Sequence, residues 1–218
     1  MNTESVRRRI SKIGIVPVVR AASVEEARRA VEAIHLGGIP VIEITMTVPD
    51  ATKIIQELAK YYGSEVLIGA GTVTNAQDAE NCIDAGAEFL VSPGLSVAVL
   101  QVAAKRGILA IPGALTPTEV MEAREAGAQV IKIFPCSSVG GPRHIKALRA
   151  PFPDAHFIPT GGVNLSNAAG YFAAGAFALG VGADLVDLAA LRENNPQKII
   201  AGAKALVQAV ELARATRS

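Results

Sequence analysis

The sequence predicts an α/β protein, a (β/α)8 TIM barrel in a single compact domain over 1–218, on three observations. Short β-branched runs alternate with Ala-rich segments of helical period. The junctions from helix to strand carry glycine, at Gly37-Gly38, Gly63, Gly86, Gly107, Gly127 and Gly175, as left-handed helix C-caps require. The unit recurs roughly every 20 residues, the spacing of compact βα units, with no shift of composition and no low-complexity linker.

Taken in order, strands are expected at 14–20, 40–45, 65–69, 88–92, 108–111, 129–134, 156–159 and 176–180, about the eight that a closed barrel needs. Helix starts fall between them. Ser23 with Glu26 and Thr116 with Glu119 have the capping-box spacing, and Asn75, Ser96 and Asn164 are candidate N-caps. A short N-terminal segment precedes the first strand, and a tail helix is expected at about 196–215. An open doubly wound sheet would carry a GxGxxG first turn, which is absent.

Composition narrows the function classes. With 21 Lys+Arg against 20 Asp+Glu the net charge is +1, and the longest like-charge block is Arg7, Arg8 and Arg9. That balance argues against nucleic acid or an acidic membrane as partner. The weakly polar stretch 168–183 is broken by four glycines and stopped by Asp184, short of a membrane span. A polar, basic beginning followed by a short apolar piece containing Pro17 is no signal-peptide core, so a cytoplasmic protein is expected. Cys82 and Cys136 have no CxxC spacing, and His35, His144 and His156 are scattered. Neither a disulfide framework, a metal site nor a cofactor is expected.

In such a barrel the chemistry sits at the C-terminal strand ends. Lys132 lies inside VIKIF at 130–134, where a period of two puts Val130, Lys132 and Phe134 on one face. Both faces of a parallel barrel strand are covered, so its ammonium is expected to be desolvated. Burial disfavours the charged form, and a neutral amine is what Schiff-base chemistry needs; the alternatives are a snorkelling lysine or a core ion pair. Glu43 in VIEIT at 41–45 shares a face with Val41 and Thr45, so the two side chains are expected in one cavity, as a catalytic pair or as a buried ion pair.

Two late glycine turns, PTGGV at 159–163 and GVGA at 180–183, follow the last two expected strands, where barrels commonly bind phosphate. Thr160, Gly161, Gly162, Gly182 and Ala183 are therefore candidates. GAGT at 69–72 either offers the Thr72 hydroxyl and backbone donors to a carboxylate or is only a tight βα turn, and Arg20 at a strand end either clamps an anion or lies in solvent. Cys136 reads as a small buried residue.

The strings VIEITMTVP (41–49), IGAGTV (68–73), FLVSP (89–93), IPGALTPTE (111–119), IKIFP (131–135) and IPTGGV (158–163) together resemble the 2-keto-3-deoxy-6-phosphogluconate (KDPG) and 4-hydroxy-2-oxoglutarate (KHG) aldolase family, in order and with matching spacing. The resemblance implies a metal-independent class I aldolase, assembling as a homotrimer, acting on a phosphorylated 2-keto acid. By position it implies Lys132 as the Schiff-base lysine and Glu43 as general acid/base. It implies Thr72 at the substrate carboxylate, Pro93 and Phe134 packing the pyruvyl part, and Thr160, Gly161 and Gly162 holding the tail. Two positions depart from some members: Thr47 stands where an arginine binds the carboxylate, and Ala183 where a serine binds phosphate. Carboxylate binding is then expected from Arg20, Thr72 and backbone donors, and only the Ala183 N–H would serve the phosphate. The competing expectations are the galactonate epimer or the non-phosphorylated 4-hydroxy-2-oxoglutarate as substrate, a phosphosugar isomerase or epimerase on the same barrel, and a barrel that binds a sugar phosphate without turnover.

Overall fold

The structure, a computed structural model, describes residues 2–215. The expected domain's outermost positions, 1 and 216–218, lie outside the described residues. The chain runs α1 (Thr3–Ile13), β1 (Ile15–Val19), α2 (Val24–Leu36), β2 (Val41–Thr45), α3 (Ala51–Tyr62), β3 (Leu67–Gly71), α4 (Ala76–Asp84), β4 (Phe89–Val91), α5 (Val97–Arg106), β5 (Leu109–Ile111), β6 (Gly113–Ala114) and α6 (Pro117–Glu125). It continues through β7 (Ile131–Ile133), a 3₁₀ turn (Ser137–Val139), α7 (Pro142–Arg149), β8 (Phe157–Pro159), α8 (Ala168–Ala173), β9 (Leu179–Val181), α9 (Leu188–Arg192) and α10 (Gln197–Ala215).

The strands form a curled parallel sheet in two ladders. One is six-stranded, β5-β4-β3-β2-β1-β9, and the other three-stranded, β6-β7-β8. An isolated parallel bridge between Thr160 and Gly180 joins them on one side. On the other, β5 and β6 are separated by Pro112 alone. The expected strand ends at 111, and β6 is an addition to it; between them Pro112 accepts from Lys132 N at 2.9 Å but has no N–H of its own to give the ladder.

β7 begins at Ile131, two residues after the expected start, and β3 and β9 begin late for a shared reason. The Glu65 amide bonds back to Tyr62 O and the Ala176 amide to Tyr171 O, so both residues still belong to helix exits. β3 accordingly starts at Leu67 and β9 at Leu179.

The caps follow the sequence with two exceptions. Ser23, Asn75 and Ser96 accept hydrogen bonds from the amides of Glu26, Asp78 and Val99, and Thr116 with Glu119 makes a full capping box. The Glu26 carboxylate, however, takes the amide of Ala22 instead of that of Ser23. Asn164 accepts from the amides of Ser166 and Asn167 and so closes a turn, while α8 starts only at Ala168.

The period of two in the strands sorts their side chains into two apolar layers. Ile42, Ile44, Ile68, Leu90, Ile131 and Ile133 face outward and pack with Ala27, Ile34, Ile54 and Ile55 of the helices. Val16, Val41, Leu67, Phe89, Val91, Leu109, Ile111, Val130, Ile158 and Ala178 face inward. Val6 and Ile10 of α1 complete this inner cluster. Arg9 of the same helix donates to Glu65 O at 2.9 Å, just ahead of β3, so α1 lies across the N-terminal strand ends. That end of the interior is closed, and polar chemistry is left to the other.

Ile10 is fully buried in this plug. Ile10→Ala is expected to cost about 2–5 kcal/mol, the range for truncating a buried isoleucine. Urea unfolding should show a lower midpoint at unchanged slope.

Candidate active site

Three of the buried polar residues, Glu43, Lys132 and Thr160, line one narrow cleft with Val16, Val91, Ile111, Ile158 and Gly180. Each is there because its strand alternates. Val41 and Val130 point inward and the isoleucines on either side of Glu43 and Lys132 point outward, so the inward positions next along β2 and β7 fall to Glu43 and Lys132.

Lys132 Nζ lies 4.0 Å from Glu43 Oε1, with the two side chains only 4% and 3% exposed. The ammonium also stands 5.2 Å from the centre of the Phe134 ring. At 4.0 Å the charges attract without a hydrogen bond, and Glu43 Oε1 is buried with no hydrogen-bond partner. The pair therefore retains an unused acceptor inside an apolar wall, and an unmet polar atom there is costly until something supplies a donor.

Glycine makes the room. A Cβ on Gly71 would collide with the Glu43 carboxylate, and one on Gly69 with the Phe89 ring. On the far side a Cβ on Gly180 would strike the Thr160 hydroxyl.

Thr72 immediately follows Gly71 and holds φ at 58°, a left-handed conformation that is a true outlier for a β-branched residue. Its neighbour Val73 is tied on both sides, its amide to Val91 O at 3.1 Å and its carbonyl to the Ser92 hydroxyl at 2.7 Å. Pro93, half-buried, follows Ser92 on the same rim.

Thr47 is exposed and part of a hydroxyl chain. Thr45 Oγ1 donates to Val19 O at 3.0 Å, so the 2.7 Å contact between the two threonines uses the Thr47 proton. Thr47 then turns lone pairs, not a donor, toward the rim. That makes it a poor partner for an anion.

Arg20 is exposed, and its guanidinium passes 3.7 Å from where a Cβ of Gly182 would be. It thus stands beside the loop that carries Gly182 and Ala183. Across the rim Gly161 (φ 89°) and Gly162 (φ 71°) turn the chain in a way that favours glycine. Their loop is pinned to the one after β7 by Cys136 N to Thr160 O at 2.8 Å and Ser137 N to Gly161 O at 3.1 Å.

The structure thus unites Lys132, Glu43, Phe134 and Thr160 at one point, and puts Thr72 next to the glycine that faces Glu43. Arg20, Gly182, Ala183, Gly161 and Gly162 form the outer rim. Thr45, Gly71 and Ser92 are marked by the sequence as strand-end positions, but their contacts, to Val19 O, to the Glu43 carboxylate and to Val73 O, join distant segments and carry no local signal. Among the described residues no group of three or more His, Cys, Asp or Glu side chains could hold a metal ion, and no helix is long and apolar enough to cross a membrane.

Cys136 is buried, as expected; its thiol donates to Gly141 O at 3.7 Å, and burial pushes the thiol up to about 11. Burial, helped by Asp78, pushes Cys82 up to about 12.

A family description, KDPG and KHG aldolase, matches residues 6–202. The chain is 35% identical over 202 residues to 2-dehydro-3-deoxy-6-phosphogalactonate aldolase of Escherichia coli, covering 92% of this chain and 98% of that one. It is 33% identical over 198 residues to KHG/KDPG aldolase of the same organism, covering 91% and 92%. A crystal structure of KDPG aldolase from Legionella pneumophila, with pyruvate captured as a covalent carbinolamine intermediate, superposes with a TM-score of 0.85 at 32% identity, over 92% of this chain and 97% of that one.

Two outcomes follow from the packing. Gly71→Ala should displace the Glu43 carboxylate and change its 4.0 Å separation from Lys132 Nζ, which a crystal structure of the variant would read. Iodoacetamide at pH 8 should label neither cysteine in the native protein, because both thiols are buried and held in the protonated form. Intact mass before and after unfolding checks this.

Proposed function

The chain belongs to the KDPG and KHG aldolase family, and from that premise we propose that it is a class I aldolase cleaving 2-keto-3-deoxy-6-phosphogluconate to pyruvate and glyceraldehyde 3-phosphate. The observation that carries this reading is the buried pair Lys132 and Glu43, 4.0 Å apart with a carboxylate oxygen unpartnered. The Thr160–Gly180 bridge and the single residue between β5 and β6 support taking the two ladders as one closed eight-stranded ring.

Glu43 takes a proton from the Lys132 ammonium, the freed amine adds to the substrate's keto carbon, and the carbinolamine, its hydroxyl protonated by Glu43, loses water to give an iminium and return the carboxylate. That cation draws electrons from the C3–C4 bond as Glu43 takes the proton of the C4 hydroxyl. The bond breaks, the aldehyde leaves, and the enamine left on Lys132 is protonated at C3 and hydrolysed to pyruvate, freeing the lysine. The Phe134 ring beside Nζ favours the cationic iminium through its negative face.

The cleft at the pair holds only about 10 Å3, roughly the room of one water and far below the 300–1,000 Å3 of a pocket that encloses a whole ligand. The keto carbon of the substrate therefore meets Lys132 at the mouth of the cleft, and the phosphorylated tail lies along the rim formed by Arg20, Gly161, Gly162, Gly182 and Ala183. The carboxylate takes its donors from Thr72 and backbone amides. The E. coli relatives are named for the galactonate epimer and for KHG as well as KDPG, so a substrate screen should include all three. The assembly in this reading is a homotrimer, as the family resemblance implies.

Incubation with pyruvate and borohydride tests the proposal. A reduced pyruvyl adduct should map to Lys132 and vanish in Lys132→Ala, while Glu43→Gln should slow cleavage about 10²–10⁴-fold, the range for a general acid/base. A folded protein that traps no adduct would overturn the reading in favour of an isomerase or a phosphate-binding barrel.

A further inference from the structure

Resting on the aldolase reading, we infer that Ser92 is a positioning residue for substrate binding, holding Thr72 in its left-handed conformation through the carbonyl of Val73. A β-branched residue at φ 58° persists only where its surroundings over-determine it. The surroundings here are specific. Val73 N donates to Val91 O and the Ser92 hydroxyl donates to Val73 O, so the residue after Thr72 is gripped from β4 at both of its backbone groups. On the other side, Gly71 O accepts from Met46 N at 2.8 Å, fixing the residue before Thr72 to the end of β2.

Ser92 is 3% exposed, and its amide is itself bonded to Ile111 O at 3.1 Å, so the hydroxyl is delivered from a fixed backbone. A second serine repeats the contact one residue on: Ser96 Oγ donates to Thr74 O at 3.3 Å. The turn after β3 is thus held from the segment after β4 by consecutive carbonyls. Ser96 has another duty as the cap of α5. Among the described residues Ser92 Oγ has only this one hydrogen bond.

A serine there serves binding because of what the turn carries. Thr72 adjoins the glycine against which Glu43 packs, and on this proposal its left-handed φ is what turns its donors toward the reacting end of the substrate. Without the Ser92 bond, Val73 O loses its buried donor, and the strained residue relaxes toward an ordinary conformation. The expected loss falls on substrate binding more than on the chemistry at Lys132.

The test is a double-mutant cycle of Ser92→Ala and Thr72→Ala on KDPG cleavage, read as KM and kcat separately. Ser92→Ala should raise KM about tenfold, the scale of one lost buried hydrogen bond, with kcat changed less than threefold or so. In the Thr72→Ala background the same substitution should have no further effect on KM. Ser92→Cys, which keeps the volume but donates weakly, should lie between wild type and alanine; it replaces alanine in the cycle if that variant does not fold. An unchanged KM, or a KM effect that persists undiminished without the Thr72 hydroxyl, would overturn the assignment and leave Ser92 a residue of the fold alone. Borohydride trapping of pyruvate on wild-type Lys132 separates this from failure of the aldolase reading itself, because trapping tests the lysine and not the turn.

Discussion

An ammonium and a carboxylate held out of water inside an aliphatic wall are the constraint on which the rest of this structure depends. Removing a charge from water costs several kcal/mol even after relaxation, and a nearby opposite charge offsets it only with good geometry. Lys132 and Glu43 are close enough to attract but stop at 4.0 Å, with one carboxylate oxygen unbonded. A pair serving only as scaffold gains by closing that gap. Leaving it open makes sense where a third group is to enter, and this weighs the geometry toward chemistry over stability.

The interior is graded to permit it. Toward the N-terminal end the inward positions hold Leu67, Phe89, Leu109 and Val130, and α1 adds Val6 and Ile10 beneath them. Toward the C-terminal end they hold Gly71, Gly113 and Gly180 beside the buried polar groups, and a Cβ at each would strike a neighbour. Bulk below and glycine above leave space at one end only. Water and substrate therefore approach the pair from the side where the βα loops stand, the side on which such folds carry their sites.

Much of this was legible because the strands keep a strict period of two. One polar residue among alternating apolar ones, Glu43 in VIEIT or Lys132 in VIKIF, has nowhere to point but inward. The caps at Asn75, Ser96 and Thr116 were equally readable, since each depends on contacts three residues apart. What escaped depends on contacts between distant segments. That Thr72 is left-handed is decided by Ser92 and Met46, and no local pattern announces it. The late starts of β3 and β9 have a similar origin: Glu65 and Ala176 suit a strand, yet their amides are already taken by the preceding helix ends. Pro112 was visible as a residue, but its effect, a break between β5 and β6, appears only when the ladder requires an N–H there.

The directions of hydroxyl protons carry the argument one step further. Thr45 spends its proton on Val19 O, Thr47 spends its own on Thr45, and Ser92 spends its on Val73 O. Three hydroxyls at the strand ends thus turn their donors toward the scaffold and leave acceptors for whatever else approaches. The inward-pointing charge next to them, Glu43, is also an acceptor. On the proposed reading, donors for an anion come instead from Lys132 at the centre, from Thr72, and from the outer rim, where Arg20 lies beside Gly182 and the chain turns at Gly161 and Gly162. A substrate that fits this polarity has a hydroxyl near Glu43, a carbonyl at Lys132 and negative charge toward Thr72 and the rim. A hydroxylated keto acid with an anionic tail meets all three demands at once, whereas a neutral sugar leaves the rim donors unused.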